Sequence, residues 1–175
     1  MRVILIAAQS LDGFITKHDA PGSGFASSAD QVHLRRSLQG FDCSLMGAET
    51  YRTARAEIRE RMTAPRLRIV LSHTPEKFQA DTLPGRLEFS AAPPAQLIAG
   101  LAKRGFARCA LLGGAQIHSL FLAAGLVDEL WLTIEPLLFG DGTRLLAQRT
   151  DTRPRLFAEE KLAADTLLLK YEILR

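Results

Sequence analysis

The hydrophobic pattern divides the chain into short apolar runs separated by charged or glycine-rich stretches. Residues 2 to 8 carry Val3-Ile4-Leu5-Ile6-Ala7-Ala8 without interruption, which is how a central strand covered on both faces reads. Asp12-Gly13 breaks the run, and the stretch from Lys17 to Gly24, with Pro21-Gly22-Ser23-Gly24, is loop. Ser28-Ala29-Asp30-Gln31 has the spacing of a capping box and predicts a helix to about Gln39, stopped by Gly40. Cys43 to Met46 is a short strand ending at Gly47, and a charged helix starts around Glu49 to Tyr51 and runs to roughly Arg61.

Further strands are expected at 68–71 and 87–89, with Ser72-His73-Thr74-Pro75 as loop between them. Pro93-Pro94 opens a helix over 94–103 that Gly105 ends. Cys109 to Leu112 is a buried strand running into Gly113-Gly114. The next helix shows Ile117, Leu120, Phe121 and Ala124 as a one-sided stripe, which leaves His118 off that stripe and solvated. From Glu129 to Glu135 the residues alternate, with Leu130, Leu132 and Ile134 on one side and Trp131, Thr133 and Glu135 on the other. Residues 155–162 and 166–174 read as a closing hairpin around Ala163-Ala164-Asp165.

Strands that alternate with helices predict an α/β sandwich with a mostly parallel sheet, to which the hairpin adds antiparallel edge strands. A chain of 175 residues with no repeat and no linker is expected to form one domain over 1–175.

Composition narrows the function. The formal net charge is only +3, and Arg52, Arg55, Arg59, Arg61, Arg66 and Arg68 are interleaved with Glu49, Glu57 and Glu60. Mixed signs predict a solvated helix with local ion pairs and argue against a nucleic-acid surface. Cys43 and Cys109 sit inside apolar runs without metal-ligand spacing, so they read as buried core thiols of a reducing compartment, and no metal site is expected. The opening apolar run is too short for a secretory signal and flows into turn residues, and no segment approaches membrane-spanning length. A cytoplasmic protein without a membrane partner is expected.

Three junctions share a design in which a buried strand ends, small residues turn, and a helix or loop begins. They are Gly47-Ala48-Glu49-Thr50, Ser72-His73-Thr74 and Gly113-Gly114-Ala115-Gln116. Glycine lets backbone approach a ligand closely, and a helix N-terminus offers N–H groups to an anion. Ligands of α/β sheets bind beyond the carboxyl ends of the strands, so the three junctions can converge on one phosphate-bearing nucleotide.

The set resembles the dihydrofolate reductase-like fold, and specifically the reductase domain of the bifunctional riboflavin-biosynthesis deaminase–reductase. The resemblance spans nearly the whole chain. It rests on Leu111-Leu112-Gly113-Gly114-Ala115, Ala124-Gly125-Leu126-Val127-Asp128-Glu129-Leu130 and Ile134-Glu135-Pro136-Leu137-Leu138-Phe139-Gly140-Asp141-Gly142, with Ser10-Leu11-Asp12-Gly13 and Phe41-Asp42-Cys43-Ser44-Leu45-Met46-Gly47. It implies a three-layer αβα sandwich, a homodimer, and a reductase that uses NADPH on a small heterocycle, as 5-amino-6-(5-phosphoribosylamino)uracil reductase does. The nicotinamide would lie near Ala8 and Gln9 and under the loop that starts at Leu11. Gly47, Ala48 and Thr50, with Gly113, Gly114, Ala115, Gln116 and Ile117, would hold the pyrophosphate. Ser72 and His73 would meet the adenosine 2′-phosphate. Leu112 stands where that family usually has a glutamate, so a dihydrofolate or pterin-type reductase and a non-catalytic NADP(H)-binding module are the alternatives.

Asp30 is the leading candidate for a catalytic proton donor, although an acid in a first helical turn is equally explained by the helix dipole. Asp12 and His33 are candidate substrate contacts beside it. Their plainer readings are a turn residue and a surface histidine. Glu135 is a third candidate substrate contact, on a strand that in this family approaches either the ligand pocket or the dimer contact, and the exposed alternation around Trp131 suits a homodimer.

Overall fold

The computed structural model describes residues 1–62 and 66–174; residues 63–65 and 175, which the expected domain includes, lie outside the described residues. The strands are β1 (Arg2–Ser10), β2 (Cys43–Gly47), β3 (Leu67–Leu71), β4 (Leu87–Ser90), β5 (Arg108–Leu111), β6 (Glu129–Glu135), β7 (Pro154–Lys161) and β8 (Leu167–Ile173). The helices are α1 (Ser28–Leu38), α2 (Ala48–Glu60), α3 (Pro94–Lys103) and α4 (Ala115–Ala123). A 3-10 helix, Pro75–Asp81, occupies part of what the sequence reads as plain loop.

One mixed sheet runs in the order β4-β3-β2-β5-β1-β6-β8-β7. The first six strands pair in parallel, and β8 and β7 add antiparallel pairs at one side. The apolar run of β1 is explained by this order, because β1 lies between β5 and β6 and both its faces are covered. On one face Ile4, Ile6, Met46 and Val70 pack with residues of α1 and α2. On the other, Val3, Leu5, Leu45, Ile69 and Leu111 pack with α3 and α4 through Leu101 and Phe121. Cys43 and Cys109 are register partners on this second face, buried and free. Among the described residues no helix is long and apolar enough to cross a membrane.

Several local expectations change. The cap of α1 is Ser27, whose hydroxyl accepts from the Asp30 amide at 3.2 Å, one residue before the predicted box. In α4 the buried face is Ala115, His118, Ser119 and Phe121, while Leu120 is 45% exposed and Ala124 is exposed, so the apolar stripe is not the packed one. His118 is therefore interior, not solvated. Within the arginine-rich stretch Arg68 is buried and donates to the backbone carbonyls of Arg61 and Arg66. Arg55 and Arg59 tie α2 to the 3-10 helix through Asp81.

The exposed alternation expected around Trp131 lies elsewhere, and Trp131 packs against the core. It is half-buried, packs edge-on to Phe41 at 5.9 Å, and donates its indole N–H to Glu129. The exposed apolar residues of this region lie on the opposite face of β6, β8 and β7, where Leu156 and Leu167 are 46% and 43% exposed.

Candidate active site

The carboxyl ends of β2 and β5 meet where the chain sends α2 to one face of the sheet and α4 to the other, the position at which α/β sheets open a crevice. The two glycine turns are in contact there. The Gly47 amide donates to the Gly113 carbonyl at 2.7 Å. A Cβ on Gly47 would lie 2.9 Å from Cγ1 of Ile117, and one on Gly113 would lie 2.6 Å from Nε2 of His118. Gly113 also has φ +96°, a left-handed conformation that glycine alone adopts readily. The Gly113–Gly114 peptide is cis.

Helices α2 and α4 begin from Gly47 and Gly114 with no side-chain cap, in contrast to α1. Their first-turn N–H groups are therefore not satisfied by a capping side chain, and Thr50 places Oγ1 where a Cβ on Gly114 would be 3.5 Å away. Uncapped helix starts, close glycine backbone and a hydroxyl form the donor set that a pyrophosphate requires. Ala115 is buried, Ile117 is half-buried against the core, and Gln116 is exposed at the helix start. At the end of β3, Ser72 accepts from the Thr74 amide at 3.1 Å, and His73 is exposed.

The second half of the site is a pair of buried acids at the end of β6 and the start of α1. Glu135 accepts from the Ser27 amide and hydroxyl, both at 2.8 Å, and from the Thr166 hydroxyl at 3.1 Å. Asp30 lies beside it and bonds the Thr133 side chain. Burial pushes the Asp30 carboxyl above its ordinary range and the charge of Glu135 adds to that, partly offset by the Thr133 bond. This is how a carboxyl group keeps a proton nearer neutrality. His33, one turn along α1, is half-buried, and burial and the Lys170 charge lower its affinity for protons.

The loop after β1 completes the surroundings. Asp12 accepts from the Ser10 hydroxyl at 2.6 Å and from the amides of Phe139 and Gly140 at 3.0 and 2.7 Å. Its carboxylate thus ties the loop to the segment after β6, and these bonds hold it below the usual carboxylate range. Ala8 and Gln9 are half-buried, and Leu11 is exposed at the mouth. A cavity of about 390 Å³ opens between Lys17, Phe25, Leu137 and Phe139. Phe25 and Leu137 of its lining are each two residues along the chain from the Ser27–Glu135 contact.

The sequence profile of the RibD C-terminal domain matches residues 1–168. The chain belongs to the RibD C-terminal domain family. Solved structures agree on the fold of this RibD C-terminal domain. A putative riboflavin biosynthesis protein from Shewanella sp. PV-4 superposes with TM-score 0.71 at 23% identity over 100% of both chains. A pyrimidine reductase-like protein from Corynebacterium diphtheriae gives TM-score 0.75 at 18% identity, covering 99% of this chain and 92% of that one. A deaminase/reductase from Thermotoga maritima gives TM-score 0.79 at 16% identity, and this chain covers 56% of it. The fold is thus dihydrofolate reductase-like, a mixed α/β sandwich with a mostly parallel sheet and an antiparallel hairpin. No curated protein sequence matches significantly.

In this RibD C-terminal domain the structure brings Asp30, Glu135 and His33 to one place and gathers Gly47, Thr50 and Gly113–Ile117 at another. Ser72 and His73 follow Leu71, the register partner of Gly47, so they lie beside the Gly47 turn at the end of the neighbouring strand. Asp12 is engaged with the backbone. Sequence reasoning missed Ser27, Thr133 and Thr166. Ser27 was legible as a hydroxyl just before a helix, and Thr133 as a residue on the Glu135 side of its strand. Thr166 comes from a hairpin turn 31 residues away and has no local signal.

Proposed function

We propose that the protein is an NADPH-dependent reductase of a small heterocycle, resembling 5-amino-6-(5-phosphoribosylamino)uracil reductase. The observation that carries this reading is the buried Asp30–Glu135 pair at the end of the same sheet edge that bears the facing Gly47 and Gly113 turns. Gly47, Thr50, Gly113 and Gly114, with the uncapped starts of α2 and α4, fit the pyrophosphate of the cofactor. NADPH, when bound, supplies the hydride.

The remaining work belongs to the chain. Glu135, fixed by Ser27 and Thr166, sets the position of the acid pair and raises the proton affinity of Asp30. Asp30 holds its proton at the carboxyl group and offers it as a hydrogen bond, or as a proton, to a ring nitrogen of the substrate. Thr133 holds Asp30 in place, Leu11 and the loop tied down by Asp12 exclude water, and the cavity bounded by Phe25 and Phe139 takes the substituent of the heterocycle. His33, one turn along α1, interacts with the charge of Asp30.

A second reading, a nucleotide-binding module without turnover, is favoured by Leu112. Its side chain packs into the apolar clusters of Met46 and Ile4, which leaves no acid before the glycine pair. Thermal denaturation with and without NADPH tests the first step: at 100 times the dissociation constant a ligand stabilises by about 2.7 kcal/mol. No shift with millimolar NADPH or NADH overturns both readings. Substrate-dependent loss of NADPH absorbance, screened with aminopyrimidines and pterins, overturns the second reading alone.

Cytoplasmic location and a homodimer are part of the proposal. Leu156 and Leu167, with Ile134, Leu169 and Tyr171, give β6–β8–β7 an apolar face that a second copy would cover, and Glu159 and Lys161 supply both charges at its rim. A monomer by sedimentation at micromolar concentration overturns the homodimer.

A further inference from the structure

We propose that His118 is a positioning residue that joins the glycine turn at the end of β5 to the loop over the proposed nicotinamide position, so that the two ends of the cofactor site are held as one unit. This rests on the functional reading above. The imidazole is 1% exposed and faces two ways. Its Nδ1 lies 3.0 Å from the Leu145 carbonyl oxygen. A carbonyl only accepts, so Nδ1 carries the ring proton and Nε2 has a bare lone pair. Burial lowers the ring pKa to about 4, which keeps this neutral tautomer throughout the physiological range.

Nε2 has no hydrogen-bond partner and lies directly under Gly113, where a Cβ would approach it to 2.6 Å and Cε1 to 2.8 Å. The ring is thus the floor of the turn. Its backbone amide makes the first intrahelical bond of α4, to the Gly114 carbonyl at 3.0 Å, so the residue sits one turn after the glycine pair. A buried acceptor left unpaired costs stability, and an aliphatic side chain would fill the space without that cost. The histidine is explained when both needs are counted: a flat ring below Gly113 and a buried donor for Leu145.

The contact with Leu145 has consequences beyond α4. The neighbouring Ser119 accepts from the amides of Ala147 and Gln148 at 2.9 and 3.1 Å, so two successive residues of α4 hold the segment 145–148. Just before it, the Thr143 carbonyl accepts from the Ile15 amide at 2.8 Å and the Thr143 amide donates to the Thr16 hydroxyl at 2.8 Å. Phe14 and Arg144 form a further backbone bridge. An unbroken path of named contacts therefore runs from Gly113–Gly114 through His118 and Leu145 to residues 14–16. His118 is the side chain that lies under Gly113 and bonds residue 145, and residues 143 and 144 carry the link on to residues 14–16.

Two variants separate the functions of the ring. His118→Phe keeps a flat ring and removes the donor; His118→Asn keeps a donor near the Nδ1 position and removes most of the ring. NADPH binding is read by Trp131 fluorescence, KM values by NADPH oxidation, and backbone coupling by hydrogen exchange of the free protein. The expectation for His118→Phe is about tenfold weaker NADPH binding and a similar rise in the KM for NADPH, with the KM for the heterocycle within about twofold. His118→Asn recovers part of the loss. Exchange quickens in His118→Phe at 14–16 and 143–148 together with 113–118. Faster exchange confined to α4, or NADPH binding equal to wild type in a variant of lower melting temperature, overturns the proposal. If wild type binds no nicotinamide nucleotide, the functional reading fails, and the exchange pattern still decides whether His118 couples the two segments.

Discussion

Asp30→Asn is expected to make the protein more stable near neutrality while it removes activity. In the folded chain the Asp30 carboxyl is held above its ordinary value, chiefly by burial and then by the nearby Glu135 charge. Native protein therefore binds the Asp30 proton over a pH range in which unfolded chain has released it. The stability that Asp30 contributes is complete below the unfolded pKa and is lost as the pH rises through the folded pKa. Each unit between the two values is worth about 1.4 kcal/mol. In a chain of this length 1 kcal/mol moves the melting temperature by roughly 2–4 °C. Asparagine is neutral, nearly isosteric, and can still accept from Thr133, so it removes the penalty without opening a cavity. Melting curves of both proteins across the carboxylate range and up to neutrality isolate the effect, because every other carboxylate is common to the pair. The variant should melt higher near neutrality, and the difference should vanish in acid. A difference independent of pH, or a variant less stable at neutrality, would refute the assignment of a raised pKa. In the proposed reaction the same substitution lowers kcat by about 10²–10⁴, the range of a positioned acid.

Other substitutions test the surrounding architecture. Gly113→Ala sets a side chain at φ +96° and 2.6 Å from the His118 ring, and backbone strain alone costs about 1–3 kcal/mol; calorimetry and NADPH binding should both show the loss. Asp81→Ala leaves the buried Tyr51 hydroxyl without the acceptor it bonds at 2.9 Å, a cost of about 1–3 kcal/mol. Because the Arg55 bond holds the Asp81 carboxyl low, this deficit is full above the unfolded carboxylate pKa and shrinks as the pH falls through the folded one. A hydrogen bond shared with Cys43 that favours the neutral thiol, and burial, push the Cys109 thiol well above its usual range; with both cysteines buried, thiol reagents should label neither until the protein unfolds.

The elements that sequence patterning reads well are those whose neighbours are close in sequence or whose ends carry a chemical mark. Pro94 and Gly105 frame α3, whose bounds agree with expectation at both ends. The run of β1 gives away its central position because both faces must be apolar. The misreadings come from partners far along the chain. His118 looks solvated by periodicity, and the backbone of residue 145 gives it an interior partner. The 3-10 helix is hidden because its anchor is Asp81, which acts through Arg55 and Arg59 on another helix. At the site, Asp30 and Glu135 are visible as acids at element ends. The tertiary pairing that makes them chemically unlike each other is not, since it needs Ser27, Thr133 and Thr166 from three separate segments.

The strand order has a consequence for the ribosome. β1 is made first, yet its partners β5 and β6 begin at Arg108 and Glu129, and Arg2 pairs with Arg108. At 5–20 residues per second, about 5–20 s pass between the emergence of the Val3–Ala8 run and that of the strands that cover its edges. Throughout that interval one of the most apolar segments of the protein is an unpaired strand, the kind of edge that seeks other chains. Yield in a cell should then depend on elongation rate and on chaperones that hold the segment between β1 and β5, even for substitutions that leave the finished protein as stable as before.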